Sequence, residues 1–467
     1  MRQAIRRLQI RIRRHATMSS PSTAFQWREG TEAAVAQSVS AFNAFLRQAK
    51  SDVHSVLAKA NSRSNALPKV VHVVIGNEAA DADSIVSSLV YAHFKHHSKA
   101  LDRRDRTDVY VPVLPIPREE LVLRCDVSSL FAKLQIDLDA LVFVDEFPWQ
   151  HAAFGGNTKS AILKLTLLDH NALNTKRMAI SPIQQQAKSE IGQVVEILDH
   201  HMDLGKHPAA PVREIAFADG QALVASNCTL VAEKILAASR DDEVFALSAT
   251  LLLAVIALDS INFNPSAKKV TARDIRAANE LEKTSFATKE ALFEWLQAEK
   301  FNPKHWDAFS VRNCLQCDYK EFQLPSKDIT GGGLYGVSAI LINLERFVKK
   351  ESASAALVEQ LQAFAQENGV AFLLVMTMFV DSDGERRRQL LFYEPSSSSS
   401  ENTNLVSKCV QFLEKEGSLA LERLDLPATH ADARLQTFSQ RNTGASRKQV
   451  VPLLQQALEA SKTESKY

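Results

Sequence analysis

Acidic residues recur in this chain at one kind of place, just past a short apolar run. The run 70–75 leads into Gly76-Asn77-Glu78-Ala79-Ala80-Asp81-Ala82-Asp83-Ser84, 141–144 into Asp145, 163–168 into Asp169-His170-Asn171, and 194–198 into Asp199-His200-His201. Asp259 closes a longer apolar run, 244–258. Carboxylates gathered in one place repel one another and lose hydration, so such a set makes sense only if cations neutralise it. The candidate ligands are Asp81, Asp83, Asp169, Asp259 and the histidines His200 and His201. Carboxylate with imidazole suits Mn²⁺, Mg²⁺ or Co²⁺ better than a cysteine-rich zinc site does. Two such ions about 3.5–4 Å apart acidify an attacking water and steady phosphoryl oxygens, which is the chemistry of phosphoryl hydrolysis. Asp81 and Asp83 lie two apart before a helix starting at Ser84, so each can face a different ion, and the helix N-terminus favours anionic groups. A lone Asp before a helix is an ordinary cap. The joint order of these motifs carries the functional reading.

The elements that must position these residues follow from the alternation of short apolar runs and helical segments over 68–281. With 109–113 as the second of five strands, the pattern predicts an α/β domain with a mostly parallel sheet. Residues past the carboxyl ends of parallel strands face one shared crevice. The expected organisation is a basic extension and leading helix over 1–65, a metal-binding catalytic domain over 66–281, a charged helical linker over 282–305, and a smaller α+β mixed-sheet domain over 306–460. In the last of these, a helix over 353–367 precedes runs 371–380 and 389–393, which flank the hairpin signal Asp381-Ser382-Asp383-Gly384.

Composition narrows the classes. In 467 residues, 45% hydrophobic and 23% charged, 55 Lys+Arg stand against 54 Asp+Glu for a net charge of +1. That balance speaks against a diffuse basic surface, and no nucleic-acid partner is expected. Run 244–258 falls short of the ~20 residues of a membrane span and is expected to be a buried helix. Seven arginines and no acid occupy residues 1–28, and without them the net charge becomes −6. An acid-free, Arg- and Ser-containing start matches a mitochondrial transit peptide and hence the matrix. A basic tail, or a start at Met18, corresponds instead to a cytoplasmic protein. Five scattered cysteines fit a reducing compartment. Four further features are read as structural: the lone Cys314-Leu315-Gln316-Cys317, the helix-end Lys95-His96-His97-Ser98, the Gly331-Gly332-Gly333 turn, and the low-complexity tract 396–400. Arg386-Arg387-Arg388 is read as an exposed charge run, with steering of a polyanion as the alternative.

The acidic and histidine motifs resemble the DHH phosphoesterase superfamily, in the branch of family II inorganic pyrophosphatases, Prune proteins and eukaryotic exopolyphosphatases. The segment 76–84 resembles the exopolyphosphatase form G-N-E-x-x-D-x-D-S, in which Asn77 stands where pyrophosphatases carry histidine. The resemblance continues through 195–201 and Leu258-Asp259-Ser260 into Asp318-Tyr319-Lys320-Glu321-Phe322 and Ala445-Ser446-Arg447-Lys448-Gln449-Val450-Val451-Pro452, spanning roughly residues 68–460. It implies that Asp81, Asp83, Asp169, His200 and Asp259 hold two divalent ions, that His201, Lys320, Arg447 and Lys448 bind substrate phosphates, and that the active site lies in the interdomain cleft. Asn77, Asp145 and Asp199 would support the ligands from behind. The implied activity is exopolyphosphatase, removal of the terminal phosphate of inorganic polyphosphate by a hydroxide held between the ions. Pyrophosphate or nucleotide hydrolysis and a Prune-like partner-binding role are the alternatives, and oligomeric state is left open.

Overall fold

The computed structural model describes residues 26–59, 69–101, 108–154, 161–173, 178, 192–238, 242–267, 269–325, 333–395, 405–430 and 432–464. The Arg-rich start and the tract 396–400 lie outside them, as do Gly331 and Gly332. Contacts divide the chain into two compact units, Met1–Lys300 and Phe301–Tyr467.

The first unit opens with α1 (Glu32–Lys59), whose Phe42, Phe45 and Leu46 are buried in the core. β1 (Lys69–Ile75), α2 (Ala82–Leu101), β2 (Val109–Leu114), α3 (Cys125–Lys133), β3 (Val142–Phe143), β4 (Ala161–Leu168), β5 (Gln193–Asp199) and β6 (Val212–Ile215) follow. The strands form one parallel sheet in the order β3-β2-β1-β4-β5-β6. The sheet is mostly buried on both faces, which is why β1 and β4 read as near-continuous apolar runs. Strand order reverses direction between β1 and β4, so their carboxyl ends open a crevice where ligands of such sheets bind. β6 was missing from the sequence pattern because its residues are half-buried or exposed at the sheet edge.

After a small hairpin of β7 (Phe217–Ala218) and β8 (Gln221–Ala222) come α4 (Asn227–Ala237), α5 (Asp242–Asp259), α6 (Ala272–Thr284) and α7 (Lys289–Lys300). α5 is the buried apolar helix expected, with Leu251 to Ile256 inaccessible to solvent. No helix among the described residues is long and apolar enough to cross a membrane. The expected linker 282–305 is largely structural here: Leu292 and Leu296 of α7 are buried in the core of the first unit, which extends to Lys300. Their four-residue spacing gives an otherwise charged helix one apolar stripe.

The second unit holds α8 (Pro303–Ala308), α9 (Val311–Cys317), β9 (Tyr319–Gln323), β10 (Leu334–Ile340), α10 (Leu344–Val348), α11 (Ser354–Asn368), β11 (Val370–Thr377), β12 (Phe379–Val380), β13 (Arg386–Tyr393), α12 (Leu405–Glu416), β14 (Leu421–Arg423), α13 (Pro427–His430), β15 (Leu435–Gln440) and α14 (Arg447–Glu464). Its sheet runs β14-β15-β13-β11-β10-β9, mixed because β10 and β11 pair parallel and the rest antiparallel. The expected hairpin is the β11–β13 pair. Tyr335, Phe372, Phe392 and Phe438 fill the core.

One glycine decides the geometry at the head of the crevice. A Cβ on Gly76 would lie 2.0 Å from Ser84 Oγ and 2.7 Å from the Ser84 carbonyl, so the loop after β1 folds against the first turn of α2 only with glycine there. Gly76→Ala is expected to cost about 1–3 kcal/mol of stability, measured by denaturant unfolding, because a backbone atom must shift.

Candidate metal centre

Asp81 caps α2, its Oδ1 accepting from Ser84 N at 3.0 Å. Two residues on, Asp83 faces another helix: Oδ1 accepts from Ser226 Oγ at 2.6 Å and Cys228 N at 2.9 Å, and Oδ2 from Asn227 N at 2.7 Å. Asp83 therefore sits on the N-terminus of α4, where free backbone donors and the helix dipole favour negative charge. Arg124 fixes the loop from below, donating to the Ala79 carbonyl through Nε at 3.1 Å and Nη2 at 2.7 Å.

Asp169 follows β4 in left-handed backbone, φ 62°, a conformation that aspartate tolerates better than most residues. Asn77 Nδ2 donates to its Oδ2 at 2.5 Å, tying the loop after β1 to the end of β4 across the crevice. At the end of β5, Asp199 is fully buried and acts as a hub. Its Oδ1 accepts from the backbone N of His200 at 2.8 Å and of His201 at 3.1 Å and lies 2.8 Å from His201 Nδ1, while Oδ2 accepts from Asn171 Nδ2 at 2.6 Å.

The two histidines are held differently. His200 Nδ1 lies 3.1 Å from the Val224 carbonyl, an acceptor, so that nitrogen carries the proton. Its Nε2 is turned on Asp169 Oδ1 at 3.3 Å and Asp83 Oδ2 at 3.8 Å. A lone pair facing two carboxylates is a repulsive arrangement unless a proton or a cation lies between them. Asp169, His200 and His201 each offer a ligand atom within 4.8 Å of the others, a spacing that fits an ion.

Asp259 ends α5. The next residues, Ile261, Asn262 and Phe263, all have positive φ, secured by Asn262 N donating to the Ala257 carbonyl at 2.7 Å and Phe263 N to Ser260 Oγ at 3.1 Å. Electrostatics joins Asp259 to the set. Burial, then the charge of Asp83, pushes its carboxyl up to about 7; burial, then Asp169, pushes Asp83 up to about 6. Asp81 raises both. Asp199 moves the other way, since hydrogen bonding and charge from His201 outweigh burial and hold it well below the usual range. A dense acid set that repels its own charge, with imidazole beside it, is a donor set that fits divalent cations.

Asp145 does not join this cluster. It is exposed past β3, an edge strand two places from β1, and the acids acting on it are Glu146 and Glu119. Residues missed in the sequence supply much of the scaffold. Segment 224–228 gives the carbonyl that orients His200 and the donors that hold Asp83, and the fully buried Asp274 anchors it by accepting from Ala225 N at 3.0 Å. The available signal was Ser226, an N-cap before an apolar helix.

In the second unit, Arg447 donates through Nη1 to the Asp318 carbonyl at 3.0 Å and through Nη2 to Asp318 Oδ1 at 2.6 Å. This brings the head of α14 to the start of β9, which carries Lys320. Gln449 Oε1 accepts from Ser446 N at 2.8 Å, explaining the spacing of the Ser446-Arg447-Lys448-Gln449 motif as a helix cap, with Lys448 exposed on the first turn.

A doubly wound sheet with an acid and histidine cluster at its switch point, followed by a mixed-sheet domain with a basic helix head, defines a two-domain phosphoesterase architecture. Two family models match the chain. The DHH family N-terminal domain matches residues 72–257 and the DHHA2 domain matches 296–457. The chain is 31% identical to exopolyphosphatase PRUNE1 of Bos taurus over 392 residues, 84% of this chain and 76% of that one, and 30% identical to the Homo sapiens protein over the same length. A putative exopolyphosphatase of Schizosaccharomyces pombe is 28% identical over 422 residues, 88% of this chain and 96% of that one. A solved structure, the putative family II inorganic pyrophosphatase of Methanococcus jannaschii, aligns with TM-score 0.47 at 17% identity, covering 84% of this chain and 100% of that one. The chain belongs to the DHH phosphoesterase superfamily, in its exopolyphosphatase and Prune branch.

The raised carboxyls have a consequence for stability. Asp83 and Asp259 bind protons more tightly folded than unfolded, so between about pH 4 and pH 7 acidification stabilises the metal-free protein through them. After chelation, the melting temperature of wild type minus that of Asp83→Asn is expected to rise as pH falls from 8 to 5. A divalent ion should flatten the difference.

Proposed function

We propose that this protein is a metal-dependent exopolyphosphatase that releases the terminal phosphate of inorganic polyphosphate. The observation that carries the reading is His200 Nε2 turned on Asp169 and Asp83, a donor arrangement that a cation between them would satisfy. Asp81, Asp83, Asp169, His200 and Asp259 are the proposed ligands of two divalent ions, Mn²⁺ or Mg²⁺, with Co²⁺ a further candidate. Bound there, such ions would lower the pKa of a water and neutralise phosphoryl oxygens. Asn77 and Asp199 orient Asp169 and His201. His201, Lys320, Arg447 and Lys448 hold substrate phosphates, Arg447 with a planar fork and the lysines as point charges. Relatives that carry the name exopolyphosphatase, and Asn77 at the head of the first motif, favour polyphosphate over pyrophosphate.

The test is orthophosphate release from pyrophosphate, tripolyphosphate and long-chain polyphosphate with Mn²⁺ or Mg²⁺. Long chains are expected to be the best substrate, and Asp169→Ala should reduce release to background. Faster turnover of pyrophosphate would reassign the substrate, and equal release by wild type and Asp169→Ala would overturn the reading. Asp199→Asn keeps the shape but removes the charge that fixes His201, and is expected to lower activity about 10–100-fold, as loss of groups supporting metal ligands does. For the cell compartment, we propose the cytoplasm, or the mitochondrial matrix if residues 1–20 act as a transit peptide. Full-length protein in mitochondria, with a chain starting at Met18 in the cytosol, would establish the second.

A further inference from the structure

The second unit carries a pocket that the proposed reaction does not use. Among its lining residues are Arg387, Arg388, Gln389, Gln440, Arg441 and Thr443. Arg388 on β13 lies directly opposite Gln440 on β15. Three arginines line the pocket, and two are already neutralised: Arg387 by Asp381 at 2.6 Å and Arg441 by Glu422 at 2.6 Å. Arg388 differs. Its one protein partner among the described residues is the Thr443 carbonyl, which accepts from Nε at 2.8 Å, so both Nη groups of a half-buried guanidinium are without an acceptor.

Gln440 makes the same point with the opposite sign. It is 1% exposed, and its Nε2 donates to the Asn442 and Ala445 carbonyls at 2.7 Å each, yet its Oε1 has no hydrogen-bond donor. Buried polar atoms in folded proteins are paired as a rule. A pocket with unfilled guanidinium donors and a net positive charge suits an oxyanion.

The pocket is also joined to the phosphate-binding motif. Arg388 holds the Thr443 carbonyl and Gln440 holds the Ala445 carbonyl, so both shape the turn that delivers Ser446-Arg447-Lys448. Thr443 and Arg447 are four residues apart, at most ~14 Å of chain. We infer that the Arg388–Gln440 pocket is a second phosphate subsite, which takes an internal phosphate of a polyphosphate chain whose end is held by Arg447 and Lys448. This rests on the polyphosphate reading of the site. It makes the pocket a reader of chain length, because only an anion with phosphates beyond those held at Arg447 and Lys448 can fill both sites.

The test measures KM and kcat for pyrophosphate, tripolyphosphate and long-chain polyphosphate with wild type, Arg388→Gln and Arg388→Lys. Arg388→Gln is expected to raise KM for long chains about tenfold more than it raises KM for pyrophosphate, and Arg388→Lys to recover most of that difference. A parallel arm titrates long-chain polyphosphate and pyrophosphate into Asp169→Ala with and without Arg388→Gln, so that binding is read without turnover. Loss of long-chain binding alone supports the subsite even if the protein proves to hydrolyse another phosphoanhydride. An equal loss for all lengths assigns Arg388 a structural role in the 441–446 turn and overturns the inference, as does no loss at any length.

Discussion

The first unit depends on one repulsive interaction. Asp81, Asp83, Asp169 and Asp259 lie close enough that burial and the neighbouring acids push the carboxyls of Asp83 and Asp259 up. Removing a carboxylate from water costs several kcal/mol even after relaxation. A fold that accepts this must hold every acid in place by donors that cannot follow it if it moves. Asp83 is held by backbone N–H groups of α4, Asp81 by one from α2, and Asp169 by Asn77. Helices α2 and α4 thus end where they do to grip carboxylates as much as to build a core.

That grip is layered. The segment that receives Asp83 is itself pinned by Asp274, which accepts from Ala225 N, Thr229 Oγ1 and the capping Thr271 of α6. Asp199, saturated by four donors, spends its charge inside the protein. It serves as an anchor for the turn that carries both histidines. Acids that look alike in sequence therefore divide into those whose hydrogen bonds are complete and those whose charge faces the crevice.

The sequence made the strands and their carboxyl-terminal acids legible, because fully buried parallel strands are continuous apolar runs and the acids interrupt them. It did not reveal which acids meet. Asp145 and Asp169 both follow a strand, but β3 is at the sheet edge while β4 flanks β1, and lateral order is not written in a linear pattern. The 224–228 scaffold was hidden for a different reason: its working groups are backbone N–H and C=O, which every residue has. Charged α7 read as a linker because its apolar stripe is only as wide as Leu292 and Leu296.

Adjacent histidines can serve different ends because their Nδ1 partners differ. The Val224 carbonyl takes the His200 Nδ1 side and turns Nε2 toward Asp169 and Asp83, the orientation a metal ligand requires. Asp199, held well below the usual carboxylate range, sets its carboxylate 2.8 Å from His201 Nδ1 and so fixes that ring from the side opposite to Nε2. The proposed division between a ligand and an anion-binding group thus needs no difference in residue type. It follows from β5 ending on an aspartate whose carboxylate reaches the second ring, while the loop before α4 presents a carbonyl to the first. The same economy explains how a chain of net charge +1 can bind a polyanion. Cations and a few fixed guanidinium groups placed at the ends of elements would provide local positive charge that the overall count does not register.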